Sequence, residues 1–167
     1  MSWSDRRGVL RLATAALAAG ALNGCGFRPA LGPDGERRAL FGQTSLSVPR
    51  GRLGAALRDV LEARLGRAAP GAPWRLEADL RLEEQGLAIT PDSSITRFVV
   101  RGRSVWTLDG PEGFGRRGGE ARALSAYSAT DSLFATREAR RAAEERVAQE
   151  LGERLADAAS AALAEAT

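Results

Sequence analysis

The stretch Trp74 to Glu83, WRLEADLRLE, alternates without exception. Trp74, Leu76, Ala78, Leu80 and Leu82 share one parity, and Arg75, Glu77, Asp79, Arg81 and Glu83 share the other. Successive side chains on a strand point to opposite faces, so the pattern predicts a strand with one buried and one solvated face. A sheet with one wet face is typically antiparallel, and its apolar face needs a second layer. The rest of the chain must extend that sheet or cover it.

Two segments have the spacing of covering helices. Leu53, Ala56, Leu57, Val60, Leu61 and Leu65 recur on one helical face, with Arg58, Asp59, Glu62 and Arg64 opposite. Gly66 suits the C-cap, and Pro70 and Pro73 prevent continuation. A second helix is predicted from about Thr130 to Leu163, capped by Ser128, Thr130 or Asp131. Its stripe of Ala135, Ala139, Ala142, Val147, Leu151, Leu155, Ala158 and Ala162 is narrow and small, which lets it lie close to a sheet. Arg140/Glu144, Arg141/Glu145 and Glu150/Arg154 are spaced for ion pairs one turn apart.

Further strands are predicted at Thr44 to Val48, at Ile95 to Leu108 and near Glu120 to Tyr127. The pattern is interrupted from Gln85 to Ser94, and Asp109-Gly110-Pro111 begins a turn. In Ile95 to Leu108, Phe98, Val100, Trp106 and Leu108 share a parity and Arg97, Arg101 and Arg103 take the other. The expected architecture is therefore an α+β two-layer sandwich over residues 44–167: a four-stranded, mostly antiparallel sheet with two helices packed on one face.

Composition narrows the chemistry. Among 167 residues there is no histidine, no lysine and a single cysteine. A Ser-His or Cys-His nucleophile pair, an imidazole metal ligand, a Schiff-base lysine and a P-loop are all excluded, and no intramolecular disulfide can form. The formal net charge is +3, but residues 1–24 supply three arginines and one aspartate, so the remainder carries about +1. Such a balance argues against a nucleic-acid binder. No metal or cofactor is expected. Glu83 and Glu84 are adjacent on a strand and point apart, so they cannot form a facing acid pair; Asp92, Ser93 and Ser94 are the only other hydrolase candidates, and a weak one.

Near the N-terminus, Arg6, Arg7 and Arg11 precede an uninterrupted apolar run, Leu12 to Leu22, of eleven residues. That is too short to span a bilayer and fits the h-region of a secretory signal. Its end, Leu22-Asn23-Gly24-Cys25, resembles the bacterial lipobox. The resemblance implies a signal peptide over 1–24, cleavage before Cys25, and lipidation of its thiol and new amino terminus. More than one acyl chain is needed for stable attachment. Paired Arg6-Arg7 also loosely resembles a twin-arginine signal. Gly26 differs from the aspartate associated with inner-membrane retention, which leaves the outer membrane as the expected destination. Residues 25–43, rich in glycine and proline, are expected to be a tether.

Taken together, several features resemble the LPS-assembly lipoprotein LptE family in its alphaproteobacterial form. They are Cys25-Gly26-Phe27-Arg28-Pro29, the helix Leu53 to Leu65, Thr96-Arg97-Phe98 through Trp106-Thr107-Leu108-Asp109, and Ser125-Ala126-Tyr127-Ser128 followed by Leu133-Phe134-Ala135 and the long helix. After Phe-Arg-Pro this chain has Ala30-Leu31-Gly32 where the family usually has leucine, tyrosine and glycine. The resemblance implies a non-enzymatic lipoprotein on the periplasmic side of the outer membrane. It would plug an LptD-like β-barrel and help deliver lipopolysaccharide to the outer leaflet.

Lipid A phosphates call for cations, and arginine offers them a planar fork. The candidates are Arg97, Arg101 and Arg103 on one strand face and Arg116 and Arg117 in the following segment. The alternative for each is a solvated face paired with Glu77, Asp79 or Glu83. A competing function is a lipid-anchored accessory subunit of an ABC-type envelope transporter, which would share the anchor and a small α/β domain.

Overall fold

The computed structural model describes residues 36–89 and 95–165. Cys25, Asp92, Ser93 and Ser94 lie outside them, as do the expected signal segment and the expected tether up to residue 35. In chain order the elements are α1 (Glu36–Leu40), β1 (Thr44–Ser47), α2 (Arg52–Leu65), β2 (Trp74–Ala78), β3 (Arg81–Ile89), β4 (Ile95–Asp109), β5 (Arg116–Ser128) and α3 (Leu133–Ala164).

β4 is the spine of a five-stranded sheet. β5 runs antiparallel along one side of it, while β2 and β3 follow one another along the other side, both antiparallel to it; β1 adds a parallel edge on β2. The α+β, mostly antiparallel architecture is as expected, but the strand count is five rather than four. The difference lies inside the alternating stretch Trp74 to Glu83, which is divided between β2 and β3. The register against β4 is unchanged on either side of Asp79-Leu80. At Asp79, however, side chains take over half of the pairing: the Asp79 N–H still donates to the Val105 carbonyl at 3.0 Å, but Asp79 Oδ1 accepts the Val105 N–H at 2.6 Å and Ser104 Oγ donates to the Asp79 carbonyl at 2.5 Å. Alternation thus survives while the backbone ladder keeps only one of its two bonds at this pair.

Two further boundaries differ from the sequence expectation. β3 continues past Gln85 to Ile89, and the lost pattern marks register shifts around Gly86 and Ala88 instead of the strand's end. Backbone pairing to β4 holds it there, because Glu83 to Leu87 are all exposed and bury nothing. β5 starts at Arg116, earlier than Glu120, since Gly118 and Gly119 pack closely under Trp106.

The inner face of the sheet carries Leu76, Ala78, Val100, Ser104, Trp106, Leu108, Ala121, Ala123 and Tyr127, all buried. α2 adds Leu57, Leu61 and Leu65; α3 adds Ala143, Val147, Leu151, Leu155, Ala156, Ala159 and Ala162. The buried stripe of α3 therefore begins later than expected, and Ala135 is exposed. Ser132 caps α3, its Oγ accepting from Ala135 N at 3.3 Å; Thr130 instead pairs with Thr136.

Close approach depends on two glycines. A Cβ on Gly102 would sit 2.2 Å from Val147 Cγ1, and one on Gly152 would sit 2.9 Å from Val60 Cβ. The first lets α3 lie on β4 and the second lets α2 and α3 touch. Gly66 does end α2, with a positive φ of 75° that favours glycine, but its ψ of 161° is extended and not that of a left-handed helical cap.

α1 falls within residues assigned by sequence to the tether, yet Leu40 is fully buried in the core. Thr44 Oγ1 donates to the Leu40 carbonyl at 2.8 Å, tying α1 to β1. The packed domain accordingly includes Glu36 onward.

Candidate functional site

The helices occupy the inner face, so the odd-numbered positions of β4 look outward. Arg97, Arg101 and Arg103 stand there together, all exposed. The ladder then adds residues that the sequence analysis had not singled out as a site. Arg81 on β3 is directly opposite Arg103, and Arg103 is directly opposite Arg122 on β5. Three guanidinium side chains therefore start from one transverse row, on strands about 4.8 Å apart. Like charges directly opposite one another destabilise a sheet, so such a row calls for counter-ions.

The counter-ions are sparse. Glu120, which projects from the same face, accepts from Arg103 Nη2 at 2.5 Å and also from Arg122 Nε. These two guanidinium groups hold its carboxyl down at about 2, against an ordinary 4.5. Arg81 lies 3.6 Å from Asp79. Among the described residues, Arg101 hydrogen-bonds only to the neutral Gln85 and Arg97 has no ion pair. An open depression of about 620 Å³ is lined by Arg81, Glu83, Arg101, Arg103, Arg122 and Leu124, with Arg154 of α3 also reaching it. Leu124 is 65% exposed, an apolar side chain among cations.

Arg116 and Arg117 lie away from this cluster. Arg116 forms a two-pronged pair with Asp109, at 2.8 and 2.9 Å, across the β4–β5 turn. That pairing lowers the Asp109 pKa and raises that of Arg116, the side-chain hydrogen bond being the main cause in both. Arg117 has the opposite parity and lies over the Phe114 ring, 5.7 Å from its centroid.

Strand parity was the signal that could have found Arg81 and Arg122. Register could not be read from one strand alone, because it depends on how β3, β4 and β5 slide against each other. Glu83 and Glu84 do point apart: Glu83 lines the outer depression, whereas Glu84 on the helix side accepts from Tyr127 Oη at 3.0 Å and forms an ion pair with Arg140, 2.9 Å from its Nε. Among the described residues no cluster of acids and cysteine could hold a metal ion, and no helix is long and apolar enough to cross a membrane.

The LptE family, described as "Lipopolysaccharide-assembly", matches residues 41–159. The chain belongs to the LptE family. No curated protein matches it in sequence. Among solved structures it is similar to a lipoprotein from Caulobacter crescentus CB15, with 23% identity and a TM-score of 0.60 over 79% of this chain and 97% of that one. It is also similar to rare lipoprotein B from Shewanella oneidensis, with 15% identity and a TM-score of 0.55 over 70% and 92%. A minor lipoprotein from Acinetobacter baumannii gives 15% and 0.52 over 72% and 94%. These likenesses establish the shared fold. LptE membership makes the chain a component of lipopolysaccharide assembly.

Proposed function

We propose that this LptE-family chain is anchored by acyl chains on Cys25 to the periplasmic side of the outer membrane. There it plugs an LptD-like β-barrel and binds lipopolysaccharide on the exposed sheet face during delivery to the outer leaflet. The observation that carries the binding step is the arginine row: four cations of the outer face, Arg81, Arg101, Arg103 and Arg122, line one open depression that Arg154 also reaches, with three carboxylates, Asp79, Glu83 and Glu120, near them. Guanidinium forks match phosphate oxygens, and Leu124 offers an apolar contact beside them. Leu133 and Phe134, 74% and 75% exposed in the first turn of α3, are apolar groups available to the barrel.

Reversing charge at Arg101 and Arg103 together (Arg101→Glu, Arg103→Glu) should weaken lipopolysaccharide binding by the detergent-solubilised protein by at least about tenfold, since two charge-assisted contacts are replaced by repulsion. Unchanged affinity removes the sheet face from the reading. Affinity purification of the membrane-solubilised protein should recover a large outer-membrane barrel. Recovery of an inner-membrane ATPase complex would instead favour the transporter-subunit function. Mass spectrometry of the mature chain should find the added acyl mass on Cys25.

A further inference from the structure

We propose that the free edge of β5 is a self-pairing surface, on which two copies of the chain join antiparallel about a two-fold axis at Ala121. The inference concerns the edge of the strand and stands independently of what binds the outer face. Among the described residues no strand pairs with β5 on the side away from β4, and its register against β4 runs from Arg116 to Ser128 without a shift. Edge strands are ordinarily blunted by proline, lysine or a bulge, and β5 has none of these.

The ladder fixes which groups of β5 are free. The Asp79 N–H donates to the Val105 carbonyl at 3.0 Å, so the odd positions of β4 bond towards β2 and β3. Its even positions, Gly102 and Ser104 among them, therefore bond to Ala123 and Ala121 of β5. That leaves the N–H and C=O groups of Gly118, Glu120, Arg122 and Leu124 aimed at the open edge. Arg146 agrees with this direction: it reaches from α3 to the Ala126 carbonyl, next in the same series, at 3.3 Å and closes the edge there.

Self-pairing must match outward groups with outward groups, which places the two-fold axis on a residue and not between two. Charge then selects the residue. Centring on Glu120 sets Glu120 against itself, centring on Arg122 sets Arg122 against itself, and centring on Gly119 sets Arg116 against Arg122. Centring on Ala123 needs the Ala126 carbonyl that Arg146 holds. Centring on Ala121 sets Glu120 opposite Arg122 of the other copy, twice, and Gly118 opposite Leu124, with no like charges opposed. Opposite charges directly across a ladder stabilise it. Arg122, which shares Glu120 with Arg103 in its own chain, gains a second carboxylate. α3 crosses over Gly102 of β4, one strand in from the edge. The α3 helices of the two copies would thus stand roughly 14 Å apart at that level, beyond the 8–10 Å of packed helices, and leave room for the pairing.

The test is the mass of the full chain solubilised in dodecyl maltoside, measured by light scattering with the detergent subtracted. The wild type should have the mass of two chains. Glu120→Arg opposes arginines in both pairs and Arg122→Glu opposes glutamates, so each should raise the dimer dissociation constant by at least about tenfold. Mixing these two variants makes both pairs complementary again, and a mixed dimer should form as readily as the wild-type one. Leu124→Pro removes an outward N–H without touching the bonds to β4 and should be monomeric, with circular dichroism confirming the fold. A wild type that stays monomeric up to about 0.1 mM overturns the pairing. If Leu124→Pro then also lowers recovery of an outer-membrane barrel, the edge belongs to the barrel and not to a second copy. Single variants that remain dimeric, or a mixture that forms no mixed dimer, overturn the Ala121 register.

Discussion

The two faces of the sheet use the same residue type under opposite conditions. On the helix side, arginines act as staples with several partners each. Arg52 bonds Glu144 at 2.5 Å and Glu145 at 2.8 Å, Arg140 bonds Glu84 and Glu144, and Arg146 donates to Ser125 Oγ and the Ala126 carbonyl. Together with the Tyr127–Glu84 bond they link β3 and β5 to both α2 and α3. On the outer side, Arg81, Arg103 and Arg122 face one another across the ladder, and two of them share one carboxylate. Satisfied arginines hold a fold together. An undersupplied row retains charge that a ligand can use.

The sharpest way to break this contrast is to delete equal amounts of leucine from the two sides. Leu151 is fully buried under Gly102, so Leu151→Ala should destabilise by about 3 kcal/mol through lost burial and the cavity left behind. Leu124 is mostly exposed, and Leu124→Ala should change stability by less than about 0.5 kcal/mol. Chemical denaturation of both variants measures this. A comparable loss at Leu124 would mean that the outer face is covered in the folded protein.

The polar staple comes next in size. Tyr127→Phe keeps the ring stacked on Phe98 at 5.1 Å between centroids but removes the hydroxyl that Glu84 accepts. A loss of about 1 kcal/mol is expected. The Tyr127 pKa is raised, first by burial and then by its hydrogen bond to Glu84, so the phenol stays protonated and able to donate at neutral pH. Ser132→Ala tests the start of α3 independently. Losing an N-cap that accepts from Ala135 should cost up to about 1 kcal/mol, with no change in binding on the sheet face.

This contrast also marks what a single sequence can show. Period-2 alternation revealed which residues of Trp74 to Glu83 face inward, because parity is a property of one strand. It did not reveal the interruption at Asp79, where the Asp79 carboxylate and Ser104 hydroxyl replace ladder groups; that requires two strands already in register. The same limit applies to the site. Arg97, Arg101 and Arg103 were legible from β4, but Arg81, Arg122 and Glu120 join them only through cross-strand pairing. Arg116 and Arg117 were grouped with the patch by closeness in sequence. An aspartate across the turn and the Phe114 ring hold them elsewhere. Helix capping failed for a similar reason: four polar residues precede α3, and the choice of Ser132 over Thr130 depends on the path of the chain leaving β5.

The smallest effect is also the most diagnostic of the outer face. The folded pKa of Glu120, at about 2, is below its ordinary value of 4.5, so its contribution to stability is present above about pH 4.5 and is lost as the pH falls towards 2. Asp109, lowered by Arg116, acts in the same direction. Glu120→Gln should therefore differ from the wild type in stability near neutral pH and converge with it by about pH 2. Because both partners of this pair are solvent-accessible, molar salt should shrink the difference at neutral pH as well. A gap that persists in acid and in salt would show that Glu120 acts through packing and not as the counter-ion of Arg103 and Arg122.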